Sequence, residues 1–167
     1  MARRQAEAAP RRTASGKPVV AIVGRPNVGK STLFNRLAGK RKALVHDRPG
    51  VTRDRNYGTA AWLDRTYVLI DTGGFEPEPE DSLYAAMRRQ SEAAVREADV
   101  VILLVDRQAG ITPPDRQVAD LIRASGRPVV LAVNKCDTPT HEDDAGEFWE
   151  LGFGALFHDL GKANLPR

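Results

Sequence analysis

The chain has 167 residues and a formal charge of +3, a length that fits one domain able to bury a core. No run approaches the ~18 to 20 apolar residues of a membrane span, and the single cysteine, Cys136, excludes an internal disulfide framework and suits a reducing cytoplasm. The charge is local: residues 1–17 hold five basic side chains against one acid, leaving 20 basic and 21 acidic side chains beyond them, so the basic pI does not argue for a nucleic-acid-binding core and DNA is not an expected partner.

Residues 1–17 are rich in Ala and Arg, contain Pro10 and lack an apolar h-region. They read as a disordered basic extension able to touch RNA, not as a secretory signal. The apolar run Val19-Val20-Ala21-Ile22-Val23 predicts a strand, and Thr32-Leu33-Phe34-Asn35-Arg36-Leu37 a helix ended by Gly39. Between them lies Gly24-Arg25-Pro26-Asn27-Val28-Gly29-Lys30-Ser31, which matches the spacing G-x-x-x-x-G-K-S/T without a gap. Strand, glycine loop and helix in that order form a phosphate cradle, because inward backbone N–H groups and the positive end of the helix dipole face the same anion. Gly24, Asn27, Val28, Gly29, Lys30, Ser31 and Thr32 are the residues placed to hold a triphosphate, with Lys30 reaching the β- and γ-phosphates and the Ser31 hydroxyl taking a Mg2+ position.

Residues 40–55 form a polar, arginine-rich connection of 16 residues, a length that marks a functional or mobile loop. Thr52 is its available hydroxyl for Mg2+. Tyr57–Leu63 and Thr66–Ile70 predict two strands joined at Asp64-Arg65. The second strand ends in Asp71-Thr72-Gly73-Gly74, so Asp71 is a candidate Mg2+ ligand, directly or through water, and Gly74 a candidate backbone donor to a γ-phosphate. Phe75–Asp81, with Pro77 and Pro79, reads as an acidic loop. A helix follows from an Asp81 or Ser82 cap to about Ala98, with Leu83, Met87, Ala94 and Val95 inward and Arg88, Arg89 and Arg96 as a solvated face. Val100–Val105 is a continuous apolar run, the mark of a parallel strand covered on both faces. Asp106–Pro114 reads as loop, Asp115–Ala124 as helix, and Pro128–Val133 as a further buried strand.

That last strand delivers Asn134-Lys135-Cys136-Asp137. A carboxylate at Asp137 can accept from guanine N1–H and the 2-amino group together, a donor pair that adenine lacks, and a polar pocket rejects the base that leaves it unpaired. The Lys135 stem can lie across a base and the Asn134 amide can tie neighbouring loops. Cys136 reads as a small buried residue. His46, His141 and His158 are scattered and support neither a metal site nor a triad.

Over residues 18–154 the chain resembles the Ras-like, translation-factor-related GTPases, and among them the first G domain of the Der (EngA) family. The residues that carry the likeness are Gly24–Ser31, Gly50-Val51-Thr52-Arg53-Asp54, Asp71-Thr72-Gly73-Gly74-Phe75 and Asn134–Asp137, with the doubled glycine favouring Der. The resemblance implies an α/β P-loop G domain, a mostly parallel three-layer αβα sandwich. It also implies GTP and GDP as ligands, hydrolysis with Mg2+, and a role with rRNA in assembling the large ribosomal subunit. Lys30, Thr52, Gly74 and Asn27 are the implied catalytic set. Phe75 stands where many relatives place a water-orienting glutamine; similar GTPases are thought to use K+ instead, and Asn27 matches the asparagine that holds it. The likeness stops after Gly154: residues 155–167 lack the expected Ser-Ala loop and last helix. The expectation is a frameshifted, truncated terminus with an incomplete final strand and helix. The alternative reading is a non-enzymatic remnant that binds GTP weakly or folds poorly.

Overall fold

The computed structural model describes residues 16–39, 56–73, 83–136, 145–153 and 155–157. In chain order these form β1 (Val19–Val23), α1 (Lys30–Ala38), β2 (Asn56–Trp62), β3 (Arg65–Asp71), α2 (Leu83–Glu97), β4 (Val100–Asp106), α3 (Pro113–Ser125), β5 (Val129–Asn134) and β6 (Ala155–Phe157), with short 3-10 turns at Arg107–Ala109 and Ala145–Leu151. The strands make one sheet in the order β2-β3-β1-β4-β5-β6. All neighbours are parallel except β2 and β3, which form an antiparallel hairpin at the edge.

The apolar runs become inner strands because helices cover both faces, as parallel sheets require. On one face Ala94 and Val95 of α2, Ala98 just past its end, and Val118, Ala119 and Ile122 of α3 pack against Val19, Val101, Leu103 and Leu131, joined by Phe148 and Leu151. On the other, Leu33, Phe34 and Ala38 of α1 pack against Ile22, Leu69 and Leu104. The result is the expected α/β three-layer architecture. Asp99, just ahead of β4, accepts from the Val19 N–H at 2.8 Å through Oδ2, which fixes where β1 begins.

Several boundaries differ from the sequence reading. Trp62 pairs with Arg65, so the hairpin turn is Leu63-Asp64 and not Asp64-Arg65. Leu63, at φ 51°, supplies the left-handed backbone that such a two-residue turn needs. Helix α3 starts at Pro113, two residues before Asp115. Prolines fit a first helical turn, whose N–H groups have no intrahelical partner, and Asp115 reaches back to accept from the Thr112 N–H at 2.9 Å. The stretch read as loop after β4 also holds the turn Arg107–Ala109, capped by Asp106. Finally, Ala155–Phe157 run parallel to β5 as a short sixth strand.

Phe148 is fully buried between the sheet and α3 although it lies in a 3-10 turn. Phe148→Ala is expected to destabilise the domain by ~3–5 kcal/mol through the cavity it leaves, measured as a lower urea midpoint at unchanged m-value.

Candidate functional site

The sheet order places β1 between β3 and β4; α1, on the way from β1 to the β2-β3 hairpin, packs on one face, and α2, on the way from β3 to β4, packs on the other. The crevice outside the carboxyl ends of the strands at such a reversal is where α/β sheets bind ligands. Register then decides which residues meet there. Ile22 is level with Asp71, and Asp106 with Asn134, so the loop after β1 is flanked by the last residues of three other strands.

Within that loop the backbone is held in uncommon conformations. Gly24 lies so close to the Leu104 carbonyl that a Cβ would collide with it, and a Cβ on Gly29, at φ 103°, would strike the Asn134 side-chain amide. Asn27 is left-handed at φ 64°, a strained state of the kind that concentrates at ligand sites. The loop and the start of α1 border a cavity of about 500 Å³ whose other wall is Thr72, Gly73 and the Ala86, Met87 and Gln90 stretch of α2. Lys30 is buried and donates from Nζ to the Arg25 carbonyl at 2.8 Å. Burial lowers its pKa from the ordinary lysine value; the Asp71 carboxylate opposes the shift and Arg25 adds to it.

The Ser31 hydroxyl donates to Asp71 Oδ2 at 2.9 Å, joining residues 40 positions apart. The other Asp71 oxygen accepts from the Gly73 N–H at 2.8 Å, and the Thr72 hydroxyl is tied to the Ile22 carbonyl at 3.0 Å. A carboxylate and a hydroxyl in contact beside a glycine cradle are hard oxygen donors of the sort that hold Mg2+ next to phosphate, so the donor set fits that ion. Among the described residues no group of three or more His, Cys, Asp or Glu could hold a metal by itself. At the far end of the crevice, Asn134 donates from Nδ2 to the Val28 carbonyl at 2.8 Å. Lys135, also left-handed at φ 64°, pairs with Asp106 at 2.6 Å.

Of the residues singled out from sequence, Gly24, Asn27, Gly29, Lys30, Ser31 and Thr32 border the cavity. Val28 differs: its side chain is fully buried in the α1-side core and its carbonyl is already engaged by Asn134. Asp71 meets Ser31, while Asn134 and Lys135 lie against the loop and Asp106 and do not line the cavity. Thr52, Gly74, Phe75 and Asp137 lie outside the described residues. Sequence reasoning missed Asp106 and Arg25, although the signal applied to Asp71, a carboxylate closing an apolar strand, is equally present at Asp106. Among the described residues no helix is long and apolar enough to cross a membrane.

The solved structures that resemble this chain define its class. Era of Aquifex aeolicus bound to GDP·AlF4− aligns with a TM-score of 0.67 at 29% identity, covering 87% of this chain and 52% of that one. The G domain of the FeoB iron transporter of T. maritima aligns at 0.62 with 26% identity, covering 88% and 90%. The fold is that of a P-loop GTPase G domain. The chain belongs to the 50S ribosome-binding GTPase family, whose model matches residues 19–135. It is 59% identical over 139 residues to the GTPase Der of Clostridium tetani, which covers 83% of this chain and 32% of that protein; the chain thus spans about a third of the length of the curated relatives it matches.

The tie between Asn134 and Val28 is directly testable. Asn134→Ala leaves the buried Val28 carbonyl unpaired and is expected to cost ~1–3 kcal/mol. Gly29→Ala pushes the same amide aside, so chemical denaturation of the double variant should show clearly less than the sum of the two losses.

Proposed function

We propose that this chain is the first G domain of a Der-type GTPase, which binds GTP and GDP and hydrolyses GTP with Mg2+. One observation carries the reading: the Ser31 hydroxyl sits on the Asp71 carboxylate, 2.9 Å apart, at the mouth of a glycine loop whose Lys30 is buried beside both. The relatives named GTPase Der and the Era structure with GDP·AlF4− support the same function.

In this reading the N–H groups of the loop and of the first turn of α1 bind the β-phosphate, and Lys30 bridges toward the γ-phosphate. The low dielectric around Lys30 makes its charge count for more than it would in water. Ser31 and Asp71 hold Mg2+, with Thr52 as a further ligand, and the ion when bound neutralises charge spread over the β- and γ-phosphates. Ser31 Oγ and Asp71 Oδ2, which hydrogen-bond to each other here, would both offer oxygen lone pairs to the metal. Gly74 donates its N–H to the γ-phosphate. Asp137 reads guanine, Lys135 lies along the base, and Asn134 keeps the loop carrying them against Val28.

Asn27 is the proposed K+ ligand. Its left-handed backbone supports a specialised role, and Phe75 offers no hydrogen bond to orient water, so charge stabilisation by a second cation takes that part. By the same family likeness the proposed partner is the rRNA of the large ribosomal subunit, in the cytoplasm, with residues 1–17 as a basic extension and residues 18–154 as the G domain. A second reading, guanine-nucleotide binding without turnover, has one observation in its favour. Among the described residues α1 alone covers its face of the sheet, leaving Val20, Ile102 and Ala132 partly exposed and Val130 38% exposed. Mant-GTP binding and circular dichroism, taken together with a phosphate-release assay, separate the two, since the second reading predicts binding without release of phosphate.

Asp137→Asn is expected to weaken GTP by roughly a hundredfold or more and to favour xanthosine triphosphate; an unchanged preference in a nucleotide-competition assay would remove the guanine site. Phosphate release should run about tenfold or more faster in K+ than in Na+, roughly 1.4 kcal/mol of barrier, and Asn27→Ala should erase that difference.

A further inference from the structure

The phosphate end and the base end of the crevice are joined by a charge cluster that neither role accounts for. Arg25, inside the phosphate loop, points away from the cavity and lies between two carboxylates: Nη2 is 3.4 Å from Asp106 Oδ2 and Nε is 3.6 Å from Asp115 Oδ2. Asp106 Oδ2 is also the oxygen that pairs with Lys135 Nζ at 2.6 Å. One carboxylate oxygen is therefore shared between a cation of the phosphate loop and the lysine of the base loop. The Asp115 side chain is fully buried and that of Asp106 nearly so. Burial on this scale makes a charge pair expensive to break.

The sharing is unequal, and that gives the cluster two arrangements. Arg25 Nε and Nη2 are buried yet have no hydrogen-bond partner, and neither has Asp115 Oδ1. Buried guanidinium donors without a hydrogen bond, held 3.4 and 3.6 Å from carboxylate oxygens, have something to gain by closing. In the arrangement seen, Lys135 takes the short contact to Asp106 and Arg25 is held off. When Lys135 shifts along a bound base, Asp106 Oδ2 is released to Arg25, which can close to hydrogen-bond distance. Arg25 in turn carries the carbonyl that accepts from Lys30 Nζ at 2.8 Å, so its settling is felt at the phosphate-binding lysine. Asp106 is itself anchored by the Gln108 N–H on Oδ1 at 2.9 Å, and Asp115 by Thr112 at the start of α3.

We propose that Arg25 and Asp106 are positioning residues that couple base recognition to the phosphate loop, so that a guanine base correctly seated at one end tightens the grip on phosphate at the other. This rests on the guanine-nucleotide reading of the site. Asp106 holds Lys135 directly, whereas the Arg25 side chain pairs, among the described residues, only with Asp106 and Asp115, so Arg25 should affect base discrimination only if the two ends are coupled.

The experiment compares, by isothermal titration on the full chain, the affinity for GDP with that for IDP, which lacks only the 2-amino group. Variants are Asp106→Asn, Arg25→Gln and the double variant, each verified as folded by circular dichroism. The ratio of the two affinities is expected to fall by about fivefold or more in each single variant, the lower end of typical coupling. In the double variant it should fall no further, because both changes break one relay. A purely structural role would weaken GDP and IDP equally, and an unchanged ratio in Asp106→Asn, or additive losses in the double variant, would overturn the proposal. Asp106→Asn keeps the oxygen that holds the Gln108 N–H but also loosens Lys135, so an unchanged ratio in Arg25→Gln, or in Arg25→Lys if Arg25→Gln does not fold, overturns the coupling as well. Failure of the unaltered chain to prefer GDP over both IDP and ADP would instead overturn the guanine reading itself.

Discussion

The hydrogen bond from the Asn134 side-chain amide to the Val28 carbonyl joins residues 106 positions apart and holds the phosphate loop against the end of β5. Everything else at the crevice is arranged around the loop shape that it maintains. Gly29 is glycine because the amide occupies the space where its Cβ would be, and Val28 can drive its side chain into the α1-side core because its carbonyl is satisfied on the opposite side. The Val28 carbonyl needs a donor, and one long-range side chain supplies it.

Around that tie the site is built from strand ends. Asp71, Asp106 and Asn134 each terminate a strand, and the parallel register brings them to one edge. Their chemistry then diverges through their neighbours. Asp71 faces a hydroxyl and a backbone N–H, which leaves it a metal-ligand candidate. Asp106 faces a lysine and an arginine, which makes it a charge hub. Two aspartates in equivalent positions thus keep different company, one facing uncharged donors and the other paired with two cations of the chain.

Much of this was legible in the residues. The apolar runs at Val19–Val23 and Val100–Val105, the helix-ending Gly39 and the phosphate-loop spacing correspond to elements now seen, because continuous hydrophobicity and glycine punctuation are local signals of burial and turning. The start of α3 was not legible: the stretch through Pro114 reads as loop, whereas its two prolines open a helix that Asp115 caps from inside. The hairpin turn was displaced by one residue because an exposed Leu63 with a left-handed backbone carries no local mark of a turn.

The order of residues alone determined that a glycine loop joins a buried strand to a helix and that polar residues follow the apolar strands, since these depend only on neighbours along the chain. The tertiary structure decided which of those residues touch. Ser31 reaching Asp71, Asn134 reaching Val28, and Arg25 lying between Asp106 and Asp115 depend on strand order and register. A one-residue slip in a strand turns every side chain to the other face, so those contacts exist only once the whole sheet has settled.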